Sequence, residues 1–534
     1  MRGFAIATLF LLVGCAKAQL TPTPEQSHEP DANRELTADQ QVYQALTRLS
    51  FGPKPGDVAR VRTMGVDRWI ALQLAPDHID DKATDLFVAD HFAITAQAPS
   101  ELETEFPKPG KAQQTDTVAR KQEMMKRREI TLELQSAKVA RAVMSERQLQ
   151  EVMVDFWENH FNIYAGKGGP EQYLLPDYDR TAIRPYALGR FRDLLGAVAH
   201  SPAMLFYLDN WESVADSGQP TLGSARHPFR AGKARGLNEN YGRELLELHT
   251  LGVDGGYTQK DVIEVARALT GWSLAGPRQP NPGTFVFRPD VHDAGVKHVL
   301  GHVIAAGGGE EDGEQVLDIV AHHPSTAKFI ARKLCIRFVS DSPPPALVDR
   351  AAATFTQTDG DIREVVRTIV TSPEFFSRAA YRSKVKTPFE VVTSALRALN
   401  AEPDSTPRSA QAVARLGEPL FGHQAPNGYA ETGESWMNTG AILARINFGM
   451  AVAADRVPGV SLERWPLAAQ LSSAPRAAQV DGVVTALLDG DASPDTHRIL
   501  LTGSNPMLTQ APSQQSGLAQ IVGLALGAPE FQRR

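Results

Sequence analysis

The chain of 534 residues is 42% hydrophobic and 22% charged, an ordinary composition for a soluble globular protein. Its formal net charge is −7 and its basic residues are spread along the chain, which excludes nucleic acid as the main partner. With only two cysteines, Cys15 and Cys335, a disulfide framework is excluded once Cys15 is assigned to a leader segment, and Cys335 is expected to be a small core residue.

The first 15 residues are typical of an export signal. Arg2 supplies a positive charge, and the apolar run from Phe4 to Gly14 is too short to be a permanent membrane helix. Two endings are compatible with this start. Residues 12–15 resemble a lipobox, in which Cys15 is lipidated and becomes the mature N-terminus, whereas residues 16–18 resemble a cleavage site after Ala18.

We favour the lipobox, because all four of its positions match. It predicts a flexible tether over residues 16–36, an anchor in the membrane, and an outer-membrane lipoprotein facing the periplasm or a periplasmic protein. Cleavage after Ala18 would instead give a secreted protein. Incorporation of a labelled fatty acid at Cys15 distinguishes the two.

Helical periodicity dominates from residue 37 to the end. Thr37 and Gln40 form a capping box, as do Thr258 and Asp261, and Asp361 is placed to cap a later helix. Between these starts, apolar residues recur at helical spacing. The sequence therefore predicts a mainly α-helical domain over residues 37–534.

Residues 284–304 depart from this pattern. Phe285 to Phe287 and Val296 to Ile304 alternate as strands do, with a break at Gly301. We expect a small antiparallel β insertion in a multi-helix body.

The densest group of chemically reactive side chains lies in residues 238–258. On a regular helix, Glu239, Arg243 and Glu247 are four residues apart, so the arginine could bridge both carboxylates. Glu244 lies three residues from Glu247, and the two could share a proton or bind a cation. The alternative is a structural network of ion pairs.

Four histidine and acid positions could complete a site. His249 lies off the polar arc, and His160, His292 and Asp293 are candidates for metal ligands together with Glu239. Their spacing matches no recognised metal motif such as His-Glu-x-x-His. For each histidine alone, a structural hydrogen bond is the competing interpretation.

Several motifs together resemble those of the bacterial domain-of-unknown-function family 1800. The resemblance runs from about residue 38 to the end and is carried by Arg48-x-x-Phe51-Gly52, Phe156-Trp157-x-Asn159-His160-Phe161, the stretch 238–253, Arg267-Ala268-Leu269-Thr270-Gly271-Trp272, His292-Asp293-x-Gly295-x-Lys297, His323-Pro324-x-Thr326-Ala327, Lys384-x-Lys386-Thr387-Pro388-Phe389-Glu390 and Pro426-Asn427-Gly428-Tyr429. Gly242 departs from the pattern, at a cost of about 1 kcal/mol to a helix. The resemblance implies a mainly helical, exported bacterial protein and no particular reaction.

Two functions are compatible with these observations. The first is a binding or scaffold component of an envelope or polymer-handling system, with an envelope protein as partner. The alternative is a hydrolase that uses a divalent metal or carboxylates, with Glu244, Glu247, Arg243 and His249 as catalytic candidates.

Overall fold

The computed structural model describes residues 33–107, 117–222, 236–276, 278–503 and 517–534. The export signal, Cys15 and most of the predicted tether lie outside these residues. Within the tether, Arg34 pairs with Asp67 at 2.7 Å, and Leu36 is buried and bonds through its backbone to Phe376.

The fold is mainly α-helical, as predicted. Its N-terminal helices are α1 (Ala38–Leu49), α2 (Asp57–Met64), α3 (Val66–Gln73), α4 (Lys82–His91), α5 (Pro99–Glu105), α6 (Thr117–Met144), α7 (Gln148–His160), α8 (Glu171–Asp177), α9 (Phe191–His200), α10 (Pro202–Tyr207), α11 (Asn240–Glu244) and α12 (Gln259–Ala268). The later helices are α13 (Glu310–Ala321), α14 (Pro324–Phe338), α15 (Pro345–Gln357), α16 (Ile362–Val370), α17 (Pro388–Ala398), α18 (Arg408–Arg415), α19 (Thr439–Ala453), α20 (Ala468–Ser472), α21 (Arg476–Leu488), α22 (Pro494–Thr502) and α23 (Leu518–Leu526).

The predicted helix starts are confirmed at atomic detail. The Thr37 side chain accepts a hydrogen bond from the Gln40 backbone, and the Gln40 side chain accepts one from the Thr37 backbone. The same reciprocal pair joins Thr258 to Asp261 at the start of α12, and Asp361 caps α16. These caps satisfy backbone N–H groups that the first helical turn leaves without partners.

The β insertion consists of two separate antiparallel pairs. Strand β1 (Trp272–Leu274) pairs with β2 (Phe285–Phe287), and β3 (Lys297–Val299) pairs with β4 (His302–Ile304). The expected single sheet over 284–304 is therefore divided, and its first strand lies earlier in the chain. Trp272 is fully buried, because the extended backbone of β1 allows its ring to pack inward.

One cluster of buried apolar side chains includes members from Leu36 to Phe531. Cys335 lies in this cluster with no exposed surface, as expected, and burial raises the pKa of its thiol to about 12. None of the described helices has the length and apolar character needed to cross a membrane.

Candidate functional site

The central stretch does not keep one helical pitch. α11 ends at Glu244, and a π-helix follows over Leu245–Thr250. Here Leu251 N–H donates to the Leu246 carbonyl at 2.9 Å, five residues back rather than four. The prediction of a uniform 100° rotation per residue is therefore wrong beyond residue 244.

Gly242 has a packing reason to be in this stretch. A Cβ atom at this position would lie 3.0 Å from both the backbone nitrogen of Ala266 and the carbonyl oxygen of Val262. The glycine allows α11 to pack closely against α12, which offsets its weak helix propensity.

The predicted polar arc divides into two contacts. Arg243 pairs with Glu239 at 3.3 Å, and the Gln259 amide bonds to both of these side chains. Glu247 accepts a hydrogen bond from the Tyr257 hydroxyl at 3.0 Å. Arg243 therefore forms the predicted contact with Glu239, whereas Glu247 is bonded to Tyr257.

Glu244 is half-buried. Burial and the nearby charge of Glu247 raise its pKa above the ordinary value, against the lowering effect of Arg243. A carboxyl group with a raised pKa is suited to act as a general acid, the role that a carboxylate-catalysed reaction would give to Glu244.

His249 lies inside the protein, away from the solvent. Neither of its ring nitrogens has a hydrogen-bond partner among the described residues, and burial lowers its pKa to about 3. Its backbone carbonyl accepts a bond from His160 Nε2 at 3.1 Å, and His160 Nδ1 lies 2.8 Å from Lys333 Nζ. Burial and the Lys333 charge hold the pKa of His160 well below its usual range. Both imidazoles are therefore neutral.

The predicted pair His292 and Asp293 belongs to another buried network. His292 Nε2 lies 3.1 Å from Asp312, and Lys297 donates to the same carboxylate at 2.5 Å. Asp293 accepts two hydrogen bonds from Arg267, at 2.8 and 3.0 Å. These contacts join the β3–β4 pair to α12 and α13.

The candidate metal ligands are thus distributed rather than gathered. His160 contacts the backbone carbonyl of His249, whereas His292 contacts Asp312 and Asp293 contacts Arg267. Glu239 lies on the surface beside Arg243. In the part of the chain that the structure describes, no three His, Cys, Asp or Glu side chains are grouped to hold a metal ion.

A polar chamber that sequence reasoning missed lies where several motifs meet. It has a volume of about 30 Å³ and is lined by charged side chains from four distant parts of the chain: Lys138, Asp155, Glu158, Arg337, Glu418 and Glu431. Asn159, Thr387 and Tyr429 are among the other residues that line it. This space accommodates water but no organic substrate.

Ion pairs hold the chamber together. Lys138 lies 2.8 Å from Asp155 and 2.6 Å from Glu158, and Arg337 lies 3.1 Å from Asp155. Arg337 also faces Glu431 at 3.5 Å. Burial opposes ionisation of Asp155, but the charges of Lys138 and Arg337 outweigh it and keep its pKa low.

Burial shifts the pKa of two other acids of the chamber in the opposite direction. Burial raises the pKa of Glu158 to about 8, with the charge of Asp179 adding to the effect of burial against that of Lys138. Burial, followed by the charge of Asp155, raises the pKa of Glu418 to about 8.

Glu418 gives the chamber a measurable pH dependence. Its folded-state pKa exceeds its unfolded value of about 4.5, so between these values the folded protein keeps a proton that the unfolded chain releases. We expect Glu418→Gln to remove this pH-dependent contribution to the free energy of unfolding. In urea titrations, the free energy of unfolding of the Glu418→Gln variant, relative to that of the wild type, should rise from pH 5 to pH 8 by at most ~1.4 kcal/mol per pH unit.

Glu434→Gln, the same change at an exposed residue, is the control and should leave the slope unaltered. Parallel stability curves for wild type and Glu418→Gln would mean that Glu418 is ionised in the folded protein.

One signal of the chamber was present in the sequence. Asp155 and Glu158 interrupt the strongly apolar part of α7, and both are buried or nearly so. Carboxylates inside an apolar helix need partners. Those partners, Lys138 and Arg337, come from α6 and α14, and sequence spacing does not indicate them.

A groove of about 450 Å³ is the larger cavity and lies between α5, α8, α10 and the β1–β2 pair. The rings of Phe206 and Trp211 stack along it with centroids 5.7 Å apart, and Tyr173 lines it as well. Glu103, Ser273, Gln279 and Arg288 supply polar groups. Its size and mixed lining are those of a ligand site.

Asn210 fixes the segment that carries Trp211. Its side-chain amide donates to the carbonyls of Leu269 at 3.1 Å and Trp272 at 3.0 Å. The turn after α10 is thereby tied to β1, so the groove has a wall held by buried hydrogen bonds.

Comparisons with known proteins concern the family alone. No curated protein and no solved structure is similar enough to be matched to this chain. A family model described as "Protein of unknown function (DUF1800)" matches residues 44–533, which include the central stretch, the chamber and the groove. The chain therefore belongs to the DUF1800 family.

Proposed function

We propose that this protein is a binding component of an envelope or polymer-handling system and that its groove takes up a glycan segment. The observation that carries this proposal is the 450 Å³ groove with its stacked aromatic pair. Export and attachment to the membrane through Cys15 are part of the same proposal.

The chemistry of the groove favours a sugar chain. One face of a sugar ring presents C–H groups that pack on an aromatic plane, and Phe206 and Trp211 provide such planes. Sugar hydroxyls both donate and accept hydrogen bonds. The carboxylate of Glu103, the amide of Gln279 and the guanidinium of Arg288 match both roles.

The other sites support this proposal less directly. The polar chamber is too small for a substrate, and His249 is enclosed. Glu244, at the end of α11, and Glu247, in the π-helix that follows, are half-buried and could act on a bound ligand only if it reached them. Binding therefore accounts for the groove with fewer assumptions than catalysis does.

Trp211→Ala tests the proposal. With an N-acetylglucosamine oligosaccharide as probe and titration calorimetry as the measurement, we expect binding by the wild type and about tenfold weaker binding by the variant, about 1.4 kcal/mol. Trp211→Phe keeps an aromatic face and should retain most of the affinity.

Equal thermal stability of the three proteins would show that the loss is local. The proposal is contradicted if wild type and Trp211→Ala bind the oligosaccharide equally, or if the wild type binds neither this probe nor fragments of other envelope glycans. Cleavage of the probe that disappears in Glu244→Gln would instead favour the hydrolase.

A further inference from the structure

The first turns of α6 carry basic and apolar side chains on one exposed face. Val118, Lys121, Met125 and Arg128 follow one another at spacings of three or four residues, so they lie in a row along the helix. Val118 is 66% exposed and Met125 is 62% exposed. We refer to these four residues as the α6 stripe.

The opposite face of the helix fixes the direction of the stripe. Arg127 donates to the Gly169 carbonyl at 3.1 Å and lies over the ring of Tyr173 at 5.2 Å. Ile130 is fully buried. Because these residues face the protein body, the α6 stripe faces outward.

The charge of this segment differs from that of the whole chain. Between residues 121 and 129, the sequence has four bases, Lys121, Lys126, Arg127 and Arg128, and two acids, Glu123 and Glu129, a net charge of +2. The net charge of the chain is −7. Met124, 60% exposed, extends the apolar surface beside the stripe. A local basic surface with protruding methionine and valine side chains complements an anionic surface with an apolar interior.

We propose that the α6 stripe docks on the surface of a membrane that contains anionic phospholipids. Lys121 and Arg128 would contact the phosphate groups, while Val118 and Met125 would enter the layer between headgroups and acyl chains. This mode is that of an amphipathic helix lying in the membrane plane, and it needs no spanning segment.

Docking would also position the groove. Tyr173 contacts Arg127 with its ring and lines the groove. A membrane against the α6 stripe would therefore lie across α6 from Tyr173, on the side of the helix that faces away from the groove. The proposal does not depend on what the groove binds.

Vesicle flotation tests the proposal. The full chain with Cys15→Ser, which removes the predicted lipid, is mixed with vesicles of phosphatidylethanolamine and phosphatidylglycerol or of phosphatidylcholine alone. We expect binding to the first and little to the second, with the first weakened by salt. Lys121→Gln with Arg128→Gln should weaken it by about tenfold or more, and Val118→Ser with Met125→Ser should weaken it as well.

Val303→Ser with Lys328→Gln is the matched control, because Val303 is 65% exposed and Lys328 is exposed on another surface. This control should bind like the parent. Equal binding of the parent and both stripe variants, equal binding to both kinds of vesicle, or no binding to either would overturn the proposal. If the protein forms a dimer in sedimentation experiments and Val118→Ser with Met125→Ser dissociates it, the stripe contacts a second copy of the chain, and the proposal is overturned as well.

Discussion

Replacing Arg337 by methionine should lower the free energy of unfolding by about 3–5 kcal/mol, the cost of removing one partner from a buried ion pair. Arg337 is 2% exposed and faces Asp155, Glu390 and Glu431 at 3.1–3.5 Å. Methionine fills much of the volume but supplies no charge, so buried carboxylates lose a counter-ion. Urea denaturation at pH 7 measures the difference.

Arg350→Met is the control for the Arg337 variant. Arg350 pairs with Glu374 at 2.7 Å, but its side chain is 48% exposed, so we expect a loss of at most about 1 kcal/mol. The loss at Arg337 should shrink at acidic pH, where protonation removes the charge of the abandoned carboxylates. Similar losses for both variants would contradict a structural role of the chamber in stability.

Gly428→Ala should be the most damaging small substitution among the motif residues. The residue has φ +69°, and a Cβ atom would overlap the backbone carbonyl oxygen of Asn159 and lie 2.6 Å from its Oδ1. That side chain holds Tyr429 through two bonds, from the Tyr429 N–H at 2.6 Å and to its carbonyl at 2.8 Å. We expect a loss of roughly 2–5 kcal/mol from backbone strain and overpacking together.

Gly490→Ala separates the two contributions. Its φ of +72° is nearly that of Gly428, but no atom lies within 4 Å of the added carbon. It should therefore cost only the strain of the left-handed conformation, about 1–2 kcal/mol. Thermal and urea denaturation of both variants give the difference, and equal losses would show that the loop at Gly428 moves to accept a methyl group.

The local features of this protein followed from its sequence. The capping boxes at Thr37 and Thr258 and the cap at Asp361 were predicted correctly because their partners lie three residues away. The helical class and the presence of a β insertion followed from apolar spacing over short windows. The family followed from several motifs in order, and the match over residues 44–533 confirms it.

The pitch of the central stretch was harder to predict. The hydrogen bonds of a π-helix have poorer geometry than those of an α-helix. The packing of buried Leu245, Leu246 and His249 against other helices must offset that loss. The Thr250 hydroxyl bonds to the Leu245 carbonyl at 2.5 Å and stabilises the wider turn. The sequence therefore indicated the polar residues of the arc, while their partners depended on the packing.

Sequence alone determined the helical class, the helix starts, the family and the candidate residues, because each depends on neighbours a few positions apart. Only the tertiary structure decided which of those residues meet. Lys138, Asp155, Arg337 and Glu418 form one chamber although up to 280 positions separate them. The stacked pair of Phe206 and Trp211 in the groove likewise depends on the hydrogen bond from Asn210 to Trp272 in β1. Burial and nearby charges then set the chemistry, since two cations keep the pKa of Asp155 low whereas burial raises the pKa of Glu418 to about 8.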